Sequence, residues 1–148
     1  MLKRTLFILA FMLATTAASA DDGTNDVLVD MFAWWNEAIK NEDGFTREAF
    51  GRYFTDDARI IVNDVVLVQG LDPMAEHFRG IQQRTESVEI VLPFEEGFRE
   101  GGKIFTYHLI RARENGVDRL SHVMGYAIVE DGKLALINFL SHSDPVEP

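Results

Sequence analysis

The sequence predicts a single α+β domain in which helices and a bent strand precede a curved antiparallel sheet wrapped around them. Apolar residues recur at helical spacing in the first half of the chain. The second half is predicted to be strands, divided by Asn115-Gly116 and Asp131-Gly132, two dipeptides typical of two-residue hairpin turns. The chain has 148 residues and shows no internal repeat or linker, so we expect one domain.

Three helices are predicted. The first covers Asp26–Asn41, where apolar residues follow the helical period. The second is short: Thr46 is its expected N-cap, and Phe45 and Phe50 are spaced to form a hydrophobic staple. The third runs from Asp72, its expected cap, to Gln83, with a proline at the first helical position.

The remaining elements are predicted strands. Residues 58–68 are rich in Ile and Val and bend at Asn63-Asp64. Gly97–Gly102 is expected to be a loop. The other strands are Ser87–Pro93, Lys103–Arg113, Asp118–Val129 and Leu134–His142. The two glycine turns join the last three strands into an antiparallel meander.

Composition excludes several classes of function. The chain has no Cys, which removes disulfides, thiol nucleophiles and zinc-thiolate or iron–sulfur sites. Its net charge of −10 would repel a phosphate backbone, so no nucleic-acid partner is expected. The four His residues lack metal-ligand spacing, and we expect neither a metal nor a cofactor.

The first twenty residues predict a secretory signal peptide. Basic residues 3–4 precede an apolar run at residues 6–14 and the small-residue cleavage sequence Ala18-Ser19-Ala20. An uncleaved anchor is the alternative, but the apolar run is short for a bilayer span of about 20 residues. We therefore expect a mature chain of residues 21–148, periplasmic or secreted, with no membrane contact after cleavage.

One succession of motifs resembles a known superfamily. Tyr53-Phe54-Thr55-Asp56-Asp57-Ala58 leads into an aliphatic strand, Gly70 precedes a helix, and the hairpins end in a Gly132-Lys133 turn. This resembles the SnoaL-like and nuclear transport factor two-like superfamily, over roughly residues 27–142. The resemblance implies a cystatin-like cone: a curved sheet around a long helix, with an apolar pocket at the open end. The fold hosts both enzymes and binding modules, so it implies no particular chemistry.

Hairpin geometry predicts which strand residues share a face. The two turns pair Leu109 with His122, Met124 with Phe139, and His122 with Ser141. The face with the larger, more aromatic side chains is expected to line the pocket. The opposite face is smaller but still apolar, and the resemblance implies that it is a dimer surface. The expected contacts of this homodimer are Val123, Gly125, Ala127, Leu136 and Leu140.

The candidate catalytic residues are His122 and Arg111. A neutral His can accept a proton near pH 7, and an Arg can hold a carboxylate or enolate oxygen. In the alternative interpretation, Arg111 pairs with a surface carboxylate and His122 is a core histidine bonded to Ser141. The expected ligand contacts are Trp35, Asn63, Tyr107, Met124, Phe139 and Ser141.

The enzymes that the resemblance suggests each lack an essential group here. In the isomerase branch the ionisable positions correspond to Trp35, Val62 or Asn63, and Met124, none of which supplies the needed acid or base. The epoxide-hydrolase branch needs an Asp-Arg-Asp set, but no Asp faces Arg111. The sequence therefore favours an exported module that binds a small, partly apolar molecule. The alternatives are a lyase or isomerase using His122 and Arg111, or a dimeric interaction module with a filled cone.

Overall fold

The computed structural model describes residues 26–145, and the predicted signal peptide lies outside this range. The helices are α1 (Val27–Ala38), α2 (Arg47–Phe50) and α3 (Leu71–Arg84). The strands are β1 (Phe54–Val62), β2 (Val65–Gln69), β3 (Ser87–Ile90), β4 (Glu96–Glu100), β5 (Lys103–Glu114), β6 (Val117–Glu130) and β7 (Lys133–Pro145). This arrangement confirms the predicted α+β class.

Side-chain caps account for where the first two helices begin. The Oδ1 atom of Asp26 accepts a hydrogen bond from the amide of Leu28 at 2.9 Å. Thr46 Oγ1 accepts one from the Ala49 amide at 3.1 Å, which confirms the predicted N-cap of α2. The predicted staple is also present, since the rings of Phe45 and Phe50 stack with centroids 5.7 Å apart.

The third helix begins earlier than predicted. Its N-cap is Gly70, which has a φ of 88° and no side chain to cap the helix, and α3 starts at Leu71. Asp72 therefore lies in the first turn, where its carboxylate is 3.1 Å from Nη1 of Arg47 rather than on a backbone amide. No helix within residues 26–145 has the length and apolarity needed to cross a membrane.

All seven strands belong to one sheet. The order is β2-β1-β7-β6-β5-β3, and β4 pairs with the same edge of β5 as β3 does. The β1 and β7 strands are parallel, with Ile60 beside Ile137, and the other pairs are antiparallel. The predicted loop at Gly97–Gly102 is wrong for its first part: β4 pairs there, and the rings of Phe98 and Phe105 stack at 4.6 Å.

The predicted pairing of β5 with β6 is confirmed, but that of β6 with β7 is wrong. In the first pair Leu109 opposes His122, as the Asn115-Gly116 turn requires. In the second, a register shift between Ile128 and Val129 displaces by one residue every pair that lies farther from the Asp131-Gly132 turn. As a result Met124 opposes Leu140, and His122 opposes His142.

The inner face of β5 and β6 is the opposite of the predicted one. Thr106, His108, Val123 and Ala127 are buried against the helices, although the last two were expected at a dimer surface. A turn determines which residues share a face, but it does not determine which face becomes concave. Small side chains suit the concave face because they leave room for the helices to pack against it. In β7 the shifted register still directs Phe139 inwards.

Gly125 has a structural requirement of its own in β6. It opposes Phe139, and a Cβ atom there would overlap the carbonyl oxygen of Asn138 and lie 2.9 Å from the Phe139 Cα. Only glycine allows the two backbones to approach this closely. Gly125, predicted to be a dimer contact, is therefore needed for the pairing of β6 with β7.

Candidate functional site

A cavity of about 300 Å³ lies between α1, α3 and the inner face of the sheet. Much of its wall is aromatic or aliphatic, and the largest of these side chains are Phe32, Trp35, Phe54, Phe78, Ile137 and Phe139. A cavity with such walls favours a ligand with apolar surface. The cone is therefore not filled, contrary to the third alternative drawn from the sequence.

The most buried polar residue of the cavity wall is His108 on β5. The residue is 1% exposed, and its ring packs against Phe32 and Phe139 at centroid distances of 5.1 and 5.3 Å. Burial lowers the pKa of His108 to about 4, because the apolar surroundings disfavour the charged imidazolium. The ring is consequently neutral near pH 7, and it is a weak proton acceptor there.

Two buried nitrogen atoms at this cavity lack partners among the described residues. They are Nε2 of His108 and Nε1 of Trp35, whose residue is 4% exposed. The other ring nitrogen of His108, Nδ1, lies 3.1 Å from Oγ1 of Thr106. Leaving a buried polar group without a hydrogen bond costs about 1–3 kcal/mol, and the residues that carry these two atoms both line the cavity.

The charged residues of the cavity wall are Arg84 on α3 and Glu114 on β5. Their side chains are partly exposed, and Arg84 Nε lies 3.9 Å from Glu114 Oε1, so the negative charge of Glu114 compensates the positive charge of Arg84. Burial, with a smaller contribution from Arg84, lowers the pKa of the neighbouring His77. Within residues 26–145, no group of three or more His, Asp or Glu residues could hold a metal ion.

The structure separates the predicted site residues. Trp35 and Phe139 line the cavity. Tyr107, His122 and Met124 are instead on the opposite, outer face of the sheet, where the Tyr107 hydroxyl lies 2.8 Å from His122 Nδ1. The expected inward orientation of these three side chains, and the alternative bond from His122 to Ser141, are wrong.

Arg111 is also on the outer face, and its Nη1 lies 3.5 Å from Glu89 Oε2, which agrees with the alternative interpretation of a surface ion pair. Asn63 and Ser141 have a structural contact instead of a place in the cavity. The Asn63 side chain accepts from the Ser141 amide at 2.8 Å and donates to its carbonyl at 3.0 Å, linking the β1–β2 turn to β7. His122 and Arg111 therefore do not line the cavity together.

The sequence interpretation missed His108 as a cavity residue and placed it on the opposite face. A signal for its burial is present, because His108 alternates with Ile104, Thr106 and Ile110 along one strand. Three β-branched side chains at alternate positions are typical of a buried strand face. The larger aromatic residues on the other face of the strand favour the opposite assignment.

The helices, the curved sheet and the half-open cavity between them together define a cone-shaped α+β domain with a pocket. Three solved structures illustrate the similarity. An NTF2-like protein of unknown function from Exiguobacterium sp. 255-15 matches at 15% identity over 80% of this chain and 98% of its own, with a TM-score of 0.64. A protein with a ketosteroid isomerase-like fold from Catenulispora acidiphila, in complex with trimethylamine, matches at 11% identity over 79% and 84%, with a TM-score of 0.61.

The third is an LEH-like epoxide hydrolase of M. tuberculosis, at 18% identity over 80% of this chain and 83% of its own, with a TM-score of 0.58. The chain therefore has the NTF2-like fold that its motifs resemble. At these identities the similarity establishes the fold alone. No protein-family model matches the sequence, and no curated protein matches it.

Proposed function

We propose that this domain binds a small, partly apolar molecule inside its cone. The observation that carries the proposal is the cavity of about 300 Å³ with largely apolar walls. Protein interiors are normally close-packed, so a cavity of this size between the helices and the sheet is a candidate ligand site. Its size is at the lower end of the range for small-molecule pockets, about 300–1,000 Å³.

A solved structure with a similar fold also supports the proposal that this domain binds a small molecule. The protein from Catenulispora acidiphila was solved in complex with trimethylamine, a small organic molecule. Its identity to this chain is 11%, so we take from it only that this fold is compatible with a ligand of that size.

The proposal is tested by filling the cavity. Ile81 lines it from α3, whereas Gln83 on the same helix is exposed. We expect ethylbenzene to bind the wild type in isothermal titration calorimetry and the Ile81→Phe variant to bind it at least about tenfold more weakly, because the larger ring occupies the cavity. The matched Gln83→Phe variant should bind as the wild type does. Absence of ethylbenzene binding, with no retained molecule in native mass spectrometry of the purified protein, would overturn the proposal.

We also propose that the chain is exported and cleaved after Ala20, on the basis of the basic start, apolar run and small-residue site of residues 1–20. The intact mass of protein recovered outside the cytoplasm should then correspond to a chain that begins at Asp21. Replacing Ala18 and Ala20 with Asp should leave the leader attached. Recovery of the full-length wild-type chain from the cytoplasm would contradict export.

We further propose that a second copy of this chain binds the outer face of the sheet. Phe98, Met124 and Leu140 are 63%, 59% and 61% exposed there, and with Tyr107 and Tyr126 they line a groove of about 490 Å³. Exposed apolar surface of this kind is typical of an interface. Two acidic copies repel one another least where uncharged side chains predominate, as they do in this groove beside Asp64 and Glu96.

A further inference from the structure

We propose that the cavity selects an uncharged ligand with a hydrogen-bond acceptor, such as a ketone or ester oxygen, and that Trp35 and His108 both donate to it. The inference rests on the proposed ligand-binding function and adds the chemistry of the ligand. It depends on the position of the proton on His108, on the two unpartnered nitrogen atoms, and on the placement of charge around the cavity.

The proton of His108 is placed by Thr106. The Thr106 hydroxyl is buried, and its one hydrogen-bond partner among the described residues is His108 Nδ1, at 3.1 Å. If the hydroxyl donates to Nδ1, its own proton is satisfied and the imidazole proton is on Nε2. The other tautomer would leave a buried hydroxyl proton without an acceptor. We therefore assign Nε2 of His108 as a donor.

Trp35 contributes a second donor. Its indole Nε1 can only donate, and it is buried without a partner among the residues that the structure describes. Both residues line the same cavity. Two N–H groups present the positive ends of their dipoles, which attract an oxygen acceptor and repel an ammonium group even though the walls are aromatic.

The placement of charge excludes an anion as the preferred ligand. His108 is neutral because burial lowers its pKa to about 4. Among the described residues, Arg84 is the one cation that lines the cavity. Its charge is compensated by Glu114 at 3.9 Å. An anion in the interior would lose its hydration without gaining a countercharge. An uncharged acceptor avoids this penalty and still satisfies both donors.

Four ligands of similar size separate these possibilities: acetophenone, ethylbenzene, benzoate and benzylammonium, titrated calorimetrically into the full protein at pH 7.5. Acetophenone differs from ethylbenzene chiefly by its oxygen. We expect acetophenone to bind about five- to 150-fold more tightly, the range for two neutral hydrogen bonds at about 0.5–1.5 kcal/mol each. Benzoate and benzylammonium should bind more weakly than ethylbenzene, because each would bury an uncompensated charge.

Two variants assign the effect to the proposed donors. Trp35→Phe removes Nε1 but also enlarges the cavity for every ligand, so the readout is the ratio of acetophenone to ethylbenzene affinity, which should fall about two- to tenfold. Trp34→Phe is the matched control, because the Trp34 ring stacks on Tyr53 at 5.2 Å and does not line the cavity. His108→Phe combined with Thr106→Val removes the second donor and its partner together. If that double variant does not fold, Trp35→Phe decides the question.

The outcomes distinguish this inference from the function on which it rests. If ethylbenzene binds but acetophenone binds no more tightly, or if either charged ligand binds most tightly, the selection for an uncharged acceptor is overturned while ligand binding stands. An equal fall of the acetophenone-to-ethylbenzene affinity ratio in Trp35→Phe and Trp34→Phe would also overturn it. If none of the four ligands binds and native mass spectrometry finds no retained molecule, the proposed function itself fails.

Discussion

The side chain of Asn36 makes two hydrogen bonds with the backbone of Ile90, which is 54 residues away in the sequence. Asn36 Nδ2 donates to the Ile90 carbonyl oxygen at 2.8 Å, and the Ile90 amide donates to Asn36 Oδ1 at 2.8 Å. Asn36 belongs to α1, and Ile90 ends β3 and lines the cavity. One amide group thus fixes the central helix against the sheet beside the candidate site.

Asn36→Ala should lower the free energy of unfolding by about 2–4 kcal/mol, because both backbone groups of Ile90 would lose their partner in a partly buried position. Urea denaturation measures the change. Asn41→Ala is the control: its Nδ2 donates only to the exposed Glu37 carbonyl, and its loss should cost less than about 1 kcal/mol. Equal losses in the two variants would contradict the structural role of Asn36.

Two glycines should respond to alanine in opposite directions. Gly125→Ala should destabilise the protein by more than about 3 kcal/mol, because its Cβ atom would overlap the Asn138 carbonyl oxygen. Gly80→Ala on α3 should stabilise it by about 0.5–1 kcal/mol, because the nearest atom to its Cβ would be Arg84 Nη1 at 3.7 Å and alanine favours helix. Thermal and urea denaturation of both variants would check the signs.

His108 makes stability depend on pH. Burial lowers its pKa from 6.5 to about 4, so between these values the unfolded chain binds more protons than the folded chain. The stabilisation is fully present above pH 6.5 and declines as the pH falls towards 4, by about 3 kcal/mol in total. His77, whose pKa is also lowered, acts in the same direction.

This dependence is measured by comparing the free energy of unfolding in urea at pH 7.5 and pH 4.5. The combined His108→Phe and Thr106→Val variant should lose much less stability over this interval than the wild type. His142→Gln changes an exposed imidazole and should leave the interval effect nearly unchanged. If the double variant keeps the wild-type pH dependence, His108 is not its source.

A substitution on the outer face of the sheet should test whether two copies of the chain form a dimer there. Leu140→Glu places a charge among exposed apolar side chains, so it should convert the proposed dimer to monomers in light scattering coupled to size exclusion. Val117→Glu is a comparable change at an exposed apolar residue beside the Asn115-Gly116 turn, and it should leave the dimer intact. A wild-type chain that is monomeric at high micromolar concentration would contradict the interface.

Local chemistry made several elements predictable. The Thr46 cap, the Phe45–Phe50 staple and the turn at Asn115-Gly116 depend on residues a few positions apart, and all are present in the structure. Asn63 and Asp131 adopt positive φ angles of 51° and 48°, as their positions in tight turns require. Such features follow from short-range geometry that the sequence contains directly.

The features that determine the site are not local. The register shift beside Ile128 changes the phase of β7 relative to β6, and no pattern of neighbouring residues in the sequence indicates it. The direction in which the sheet curves depends on helix packing, so the turns alone could not distinguish the faces that hold His108 and His122. Trp35 was correctly placed because its burial follows from the helical pattern of α1.

The parallel pairing of β1 with β7 has a consequence for the order in which the sheet forms during folding. Ile60 can pair with Ile137 only after the final strand, β7, has been synthesised. Until then a growing chain exposes the unpaired edges of both β1 and β6. Completion of the sheet is therefore a late event, and a chain truncated before β7 would lose the central strand rather than a dispensable tail.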